Sequence, residues 1–454
     1  MKFELFLFWA SALLTPILGD ILPDGRGKTP LMGWRSWNLY GGNVDQKLMV
    51  SIMDAIATRD RLVNGKPTSL CDVGYCDVGL DDNWQVCKKV DGKNSYHDAN
   101  GKPIVNLLRF PNFKAMNAHA HKLGLTAGWY GNNCICREAG NRSTIYYDGD
   151  AKATAYYDFD SIKLDGCGAQ KDIPLWHDLL SKYNPKGILI ENCHWGVVYP
   201  AIPTKTWCPW NYYRSSTDIS PNYGSVIRNL QTTIPLARNG LSRPGCWAYP
   251  DMLEVGIRLS YEESRSHFGA WCIVSSPLIL SHDLNDKNVS DSIWDIITNT
   301  EAIEVNQAWA GHPGTAFARS DDNVILSTKI PSGYEFYENR SISNPVSDET
   351  FVTVPKYQYF YKPVKQNGEK TAVLLMNNFE IKQTLSFNFA DVPSLTCANC
   401  RIRDIWTRKD IGVFKDTFTC ESVASHDSCF LMISPAPEND HWDFNQDTVS
   451  VKKK

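Results

Sequence analysis

Short apolar or β-branched runs recur between residues 31 and 281, each ending in a cluster of polar or acidic residues. Eight of them read as strands: Leu31–Trp37, Val78–Trp84, Thr126–Tyr130, Ser161–Cys167, Gly187–Cys193, Tyr212–Asp218, Gly245–Asp251 and Ile273–Ser281. Such runs suit strands covered on both faces. Between most of them lie helix candidates. Lys47–Asp60 and Asn112–Leu123 carry apolar residues at helical spacing, and Asp172–Tyr183 and Ser220–Leu230 are further candidates. Glu262–Cys272 opens with acidic residues, as helix N-termini favour. Eight strand–helix units predict an α/β fold, a closed (β/α)8 TIM barrel over residues 20–312.

Beyond residue 312 the pattern changes to short alternating runs: Phe317–Lys329, Phe351–Tyr361, Thr371–Asn377, Thr384–Phe389 and Phe430–Ser434. Gly, Pro, Asn or Asp separate them, which predicts a C-terminal antiparallel β-sandwich over 313–454. This part has no dense set of acidic residues and is read as accessory.

The 454 residues are 43% hydrophobic and 21% charged, which excludes a disordered or collagen-like chain. A net charge of −4, with only Lys452–Lys454 locally basic, argues against nucleic-acid or membrane-surface partners. At the N-terminus, Lys2, the apolar run Leu5–Leu14, Pro16 and Gly19 have the form of a secretory leader over residues 1–19, cut near Gly19–Asp20; an uncleaved anchor is the alternative. No membrane insertion is expected once it is removed. Fourteen cysteines fit an oxidising compartment, and Asn141, Asn288 and Asn339 head glycosylation sequons. A secreted or lysosomal/vacuolar protein is expected.

The expected strand ends carry Trp37, Asp81-Asp82, Tyr130, Asp165, His194, Asp218 and Asp251. In a barrel of this kind, residues at strand C-termini form the active site. Capping of the following helices explains one or two aspartates, but less readily a set with tryptophans beside it. Cleaving a glycosidic bond takes two carboxyl groups, one on each side of the anomeric carbon. Lys163-Leu-Asp165-Gly supplies one, with Lys163 on the same strand face and placed to keep Asp165 ionised. A structural salt bridge is the competing reading. Arg214-Ser-Ser-Thr-Asp218 supplies the other, unless Asp218 caps the helix after Pro221. Asp81-Asp82 suits sugar hydroxyls, and Trp37 and Trp84 offer apolar walls. The oxygen-ligand spacing of a calcium loop is missing from this pair, so no metal is assigned. His119-Ala-His121 lacks a third ligand nearby and reads as surface or core histidines. No Gly-x-Ser-x-Gly elbow occurs, which disfavours a serine hydrolase.

Gly27-Lys-Thr-Pro-Leu-Met-Gly-Trp-Arg-Ser-Trp37-Asn38 resembles the opening strand of the α-galactosidase (melibiase) family, glycoside hydrolase family 27. Gly-Leu-Asp81-Asp82-Asn-Trp, Lys163-Leu-Asp165-Gly-Cys167, Arg214 through Asp218, and Pro250-Asp251-Met252 follow in the family's order, over residues 28–312. The resemblance implies a retaining exo-glycosidase for terminal α-D-galactose, acting on a galactose-containing oligosaccharide or glycoconjugate. Its nucleophile falls on Asp165 and its acid/base on Asp218. Its sugar-binding residues fall on Trp37, Asp81, Asp82, Tyr130, Lys163, Arg214 and Asp251, with no metal or organic cofactor. Monomers and homodimers are both compatible with it.

Two departures bear on the substrate. Cys193-His194-Trp195 stands where many members have Cys-Glu-Trp, so His194 is expected to alter what is read at the sugar's 2-position. Trp247-Ala-Tyr249 replaces a carboxylate near the pocket with Tyr249. The same machinery acting on an α-N-acetylgalactosaminide, a β-L-arabinopyranoside or an α-glucan therefore stays open, as does a non-catalytic sugar-binding protein. The resemblance also implies pairing of Cys193 with Cys208 and of Cys167 with Cys134 or Cys136. Cys397/Cys400 and Cys420/Cys429 suggest local bridges.

Overall fold

The computed structural model describes residues 19–90, 92–132, 134–138, 144–194, 202–329 and 350–436. The expected leader, the sequons at Asn141 and Asn339, Trp195 and the basic tail lie essentially outside them; Gly19 is the one leader residue described.

Eight parallel strands form one sheet: β1 (Met32–Arg35), β2 (Asp77–Gly79), β3 (Thr126–Gly131), β4 (Ser161–Asp165), β5 (Leu189–Cys193), β6 (Tyr212–Arg214), β7 (Trp247–Tyr249) and β8 (Leu278–Leu280). They pair in chain order from β1 to β7, and β8 returns to β1 with Met32 opposite Leu278. The ring closes where Leu253 N–H, just past β7, donates to Ile279 O at 2.8 Å. This is the expected (β/α)8 barrel. Gly33 is needed in β1, because a Cβ there would meet Asp77 O of β2 at 2.2 Å.

The helices follow their side-chain caps. Asp45, Asn112, Asp172 and Asn222 each accept from a backbone N–H in the first turn of the helices Gln46–Ala57, Phe113–Lys122, Ile173–Tyr183 and Tyr223–Gln231. Ser260 and Glu263 form a reciprocal capping box at Tyr261–Ile273. That helix runs through Ile273, so the last strand is shorter than the expected Ile273–Ser281. Ser275 at φ +54 and Pro277 separate the two elements. The residue that caps the helix after Pro221 is Asn222 and not Asp218.

After the helix Thr300–Gln307 the chain enters an antiparallel six-stranded sheet, ordered Thr315–Arg319, Tyr357–Lys365, Lys370–Asn377, Ser428–Pro435, Asn399–Asp404 and Lys409–Lys415. Two further pairs, Asn323–Ser327 with Phe351–Pro355 and Gln383–Asn388 with Thr417–Val423, accompany it. Tyr359, Val373, Leu375, Phe387, Ile402 and Leu431 lie in its own core. The other face packs on the barrel, where buried Lys362 donates to Asn306 O at 2.9 Å.

The disulfides are Cys71–Cys76, Cys87–Cys136, Cys134–Cys167, Cys208–Cys246, Cys397–Cys400 and Cys420–Cys429. Cys134 is thus the partner of Cys167. The expected Cys193–Cys208 bridge is not formed, and Cys193 and Cys272 are buried thiols. Parallel strands explain this. Cys208 and Cys246 both precede their strands, at the N-terminal end of the barrel, whereas Cys193 is the last residue of β5, at the opposite end.

Candidate active site

Alternation along β4 turns Ser161, Lys163 and Asp165 to one face, and all three are buried. Asp165, the last residue of the strand, is the centre of the site. Its Oδ2 accepts from Tyr130 OH at 2.8 Å, and its Oδ1 from Cys167 N–H at 3.2 Å. Asn132 Nδ2 donates to its backbone carbonyl, fixing the chain there. Burial pushes the carboxyl up to about 7; Lys163 and Tyr130 work against this, while Asp218 and Asp81 add to it. The expectation that Lys163 would hold Asp165 ionised is therefore only partly met. Lys163 Nζ bonds Asp81 Oδ2 at 2.7 Å instead, and burial outweighs its effect on Asp165.

Asp218 lies four residues beyond β6 rather than at its end, and its side chain is 28% exposed. Arg214, the last residue of β6 and fully buried, reaches it with Nη2 at 3.1 Å. The same nitrogen is 2.9 Å from Asp251 Oδ2. Asp251 sits at φ +85, in the left-handed region. Four contacts hold it there: Arg214, Ile219 N–H at 2.8 Å and Met252 N–H at 2.9 Å on the carboxylate, and Trp271 Nε1 at 2.7 Å on the backbone carbonyl. The charge on Asp218 acts on both Asp165 and Asp251. One mouth therefore carries a buried carboxyl from β4 and a partly exposed carboxyl from the loop after β6.

The adjacent aspartates have different partners. Asp81 takes Lys163 on Oδ2 and Asp82 N–H on Oδ1, the latter at 2.8 Å. Asp82 is wholly buried, with four protein donors on its carboxylate. Asn83 N–H and Gln85 Nε2 bind Oδ1 at 2.7 and 2.5 Å, and Cys134 N–H and Ile135 N–H bind Oδ2 at 2.9 and 2.8 Å. That fills the acceptor capacity of a carboxylate.

Trp37 is partly buried against the barrel-interior cluster of Leu189, Tyr212, Tyr249 and Met252. Tyr249, the last residue of β7, packs edge-on to Tyr212, ring centroids 5.5 Å apart, and interacts electrostatically with Arg214 and Asp251. His194, one residue past β5, is 1% exposed. Trp84 is not an apolar wall of the pocket. It is buried against Tyr96, Phe113 and Trp129 and donates to Tyr130 O at 3.0 Å. His119 and His121 pair separately with Asp54 and Asp160, at 2.7 and 2.8 Å.

Several residues escaped the sequence reading. Glu191, on the inner face of β5, accepts from Tyr212 OH at 3.0 Å and acts electrostatically on Lys163, Arg35 and Arg214. Cys193 Sγ accepts from Arg214 Nη1 at 3.5 Å. Asn132 and Gln85 had no signal beyond proximity to a strand end. Cys134, Asp165 and Cys167 bring ligand-type atoms within 4.8 Å of one another, but the two sulfurs are bonded to each other and do not offer a metal site.

Residues 29–308 match the sequence profile of the family described as alpha galactosidase A (Melibiase_2). The chain belongs to the melibiase family of glycoside hydrolases. Residues 355–433 match the alpha galactosidase C-terminal beta sandwich domain. Among melibiase relatives, alpha-galactosidase A of Cellvibrio japonicus is 31% identical over 350 residues, spanning 71% of this chain and 79% of that one. The fold is shared with alpha-galactosidase I of Mortierella vinacea, with a TM-score of 0.70 and 23% identity over 91% of this chain and 99% of that one. It is also shared with a β-L-arabinopyranosidase of Geobacillus stearothermophilus, with a TM-score of 0.65 and 18% identity over 90% and 97% of the two chains.

Proposed function

We propose that this melibiase-family protein is a retaining exo-glycosidase that removes terminal α-D-galactosyl residues by double displacement. The observation that carries the proposal is the pairing of buried Asp165 with partly exposed Asp218 at one barrel mouth, where the charge on Asp218 acts on Asp165. Asp165, oriented by Tyr130, attacks the anomeric carbon. Asp218, facing solvent and the leaving group, donates its proton to the departing oxygen. Water then enters, Asp218 takes a proton from it, and the glycosyl–Asp165 ester breaks with the configuration retained. Arg214 stabilises Asp218 when it is ionised and fixes Asp251 beside the anomeric centre. Asp81 and Lys163 serve the sugar hydroxyls, with Trp37, Tyr130 and His194 completing the pocket. The relatives' α-galactosidase names support this substrate class. Six disulfides suit an oxidising destination, secreted or lysosomal. No helix among the described residues is long and apolar enough to cross a membrane.

One observation favours a second reading. Asp82 already carries four protein donors, so the Asp81-Asp82 pair offers a sugar fewer open acceptors than two free carboxylates would, and β-L-arabinopyranose is the α-D-galactose ring without its C6 hydroxymethyl group. Assay against nitrophenyl α-D-galactopyranoside and β-L-arabinopyranoside, with proton NMR of the first sugar released, tests both readings. Release of α-galactose as the initial anomer is expected. Cleavage of the arabinopyranoside alone transfers the assignment to the second reading, and initial release of β-galactose overturns the double displacement.

A further inference from the structure

Residues 134–138, between β3 and the helix Thr144–Tyr157, form a wall beside Asp82 and Asp165 without a strand or helix of their own. Covalent and polar bonds hold this wall. Cys134 is bridged to Cys167, two residues past Asp165, and Cys136 to Cys87 in the loop after β2. The N–H groups of Cys134 and Ile135 rest on Asp82. At its far end, Glu138 meets His97.

His97 is fully buried between two carboxylates. Its Nδ1 is 2.9 Å from Glu138 Oε2, and its Nε2 is 3.1 Å from Asp150 Oδ1. The second contact is an ion pair rather than an aligned hydrogen bond. Tyr96 OH donates to Asp150 at 2.9 Å, the Ser95 hydroxyl donates to Glu138, and the Tyr146 ring stacks on the imidazole at 4.5 Å. Burial opposes charge on the ring, but Asp150 and Glu138 outweigh it and lift His97 to about 9. In so dry a site the cation offsets the two carboxyl groups, working against the burial that pushes Asp150 up.

We infer that His97 is a positioning residue for the reaction proposed above: by bridging Glu138 and Asp150 it locks residues 134–138 against Asp82 and Asp165. The link to the chemistry is short, because the Cys134 and Cys167 sulfurs lie within 4.8 Å of an Asp165 carboxyl oxygen. A locked wall keeps water from that side of Asp165. The other groups acting on Asp165 are Lys163, Tyr130, Asp81 and Asp218, all outside the wall. Those facing His97 are Glu138, Asp150, Tyr96 and Tyr146.

His97→Gln removes the middle of the bridge, and Glu138→Gln its end on the wall. Leu375→Ala, in the sandwich core, serves as a control destabilised at a distance. Two readouts apply to the full-length protein. The acidic limb of kcat/KM is expected to move down by about half a pH unit in both bridge variants as water reaches Asp165, with kcat about tenfold lower and KM little changed. Reduction of Cys134–Cys167 by dithiothreitol, followed by alkylation and peptide mapping, is expected to be about tenfold faster in them. The control is expected to lose melting temperature and move neither readout. Bridge variants that lose melting temperature with limb and reduction rate unmoved would show a purely structural role and overturn the inference. The reduction rate needs no substrate. A wild-type protein inert on galactosides, with faster reduction in the bridge variants, removes the glycosidase reading while leaving the lock in place. If His97→Gln does not fold, Glu138→Gln, which keeps the pair with Asp150, decides the matter alone.

Discussion

Lys163 reaches past the ring of Tyr130 and donates to Asp81 at 2.7 Å, tying the fourth barrel strand to the turn after the second. Both residues are buried, so each compensates the other's charge. Lys163→Met strands a carboxylate and should cost about 3–5 kcal/mol of stability. Adding Asp81→Asn should recover part of that loss. A double-mutant cycle in urea checks this: additive losses would show that the pair is not coupled.

Tyr130 donates to the ionised form of Asp165, so Tyr130→Phe should raise the pKa of that carboxyl still further. A nucleophile must be ionised. The acidic limb of kcat/KM should therefore shift to higher pH, the reverse of the shift expected when the 134–138 wall is loosened. A pH–rate profile of the variant decides the sign.

Unfolding the oxidised protein without reductant should expose two alkylatable thiols, Cys193 and Cys272. Mass mapping that found Cys246 labelled, with Cys193 joined to Cys208, would contradict the connectivity described here. Replacing Cys208 and Cys246 together by Ser should lower stability by about 2–4 kcal/mol.

His97 has its pKa raised on folding from 6.5 to about 9. Its contribution is full below pH 6.5 and is lost as pH rises through about 9, a swing on the order of 3 kcal/mol. The stability gap between wild type and His97→Gln should therefore be wider at pH 6 than at pH 10. Denaturant midpoints at the two pH values measure it, and an equal gap would mean that the ring is held uncharged.

The barrel was legible because each strand run ended in a polar cluster and most of the helices between them carried a cap. The helix Thr144–Tyr157 was not, since its buried face is Tyr147, Asp150, Ala151, Ala153 and Thr154, too small and polar to make an apolar stripe. Asp165 could be found because it ends a strand. Asp218 was found as a residue but misplaced, because β6 stops at Arg214 and a loop carries the chain onward. The partners of Asp82 were beyond reach: two of its four donors are backbone N–H groups about fifty residues away, and no side-chain pattern announces them. Trp84 and Trp37 were read alike, yet only contact with Trp129 and Phe113 distinguishes a core indole from one nearer the mouth.

The bridges Cys71–Cys76, Cys87–Cys136 and Cys134–Cys167 all fall within residues 71–167, whereas Met32 of β1 finds its neighbour Leu278 only when the last stave exists. During synthesis, all three can be oxidised long before the ring can shut. A host that withholds oxidant until translation ends would thus ask the loops that carry Cys87, Cys134, Cys136 and Cys167 to find their partners on an already assembled cylinder, so yield should depend on when oxidation occurs as well as on whether it does.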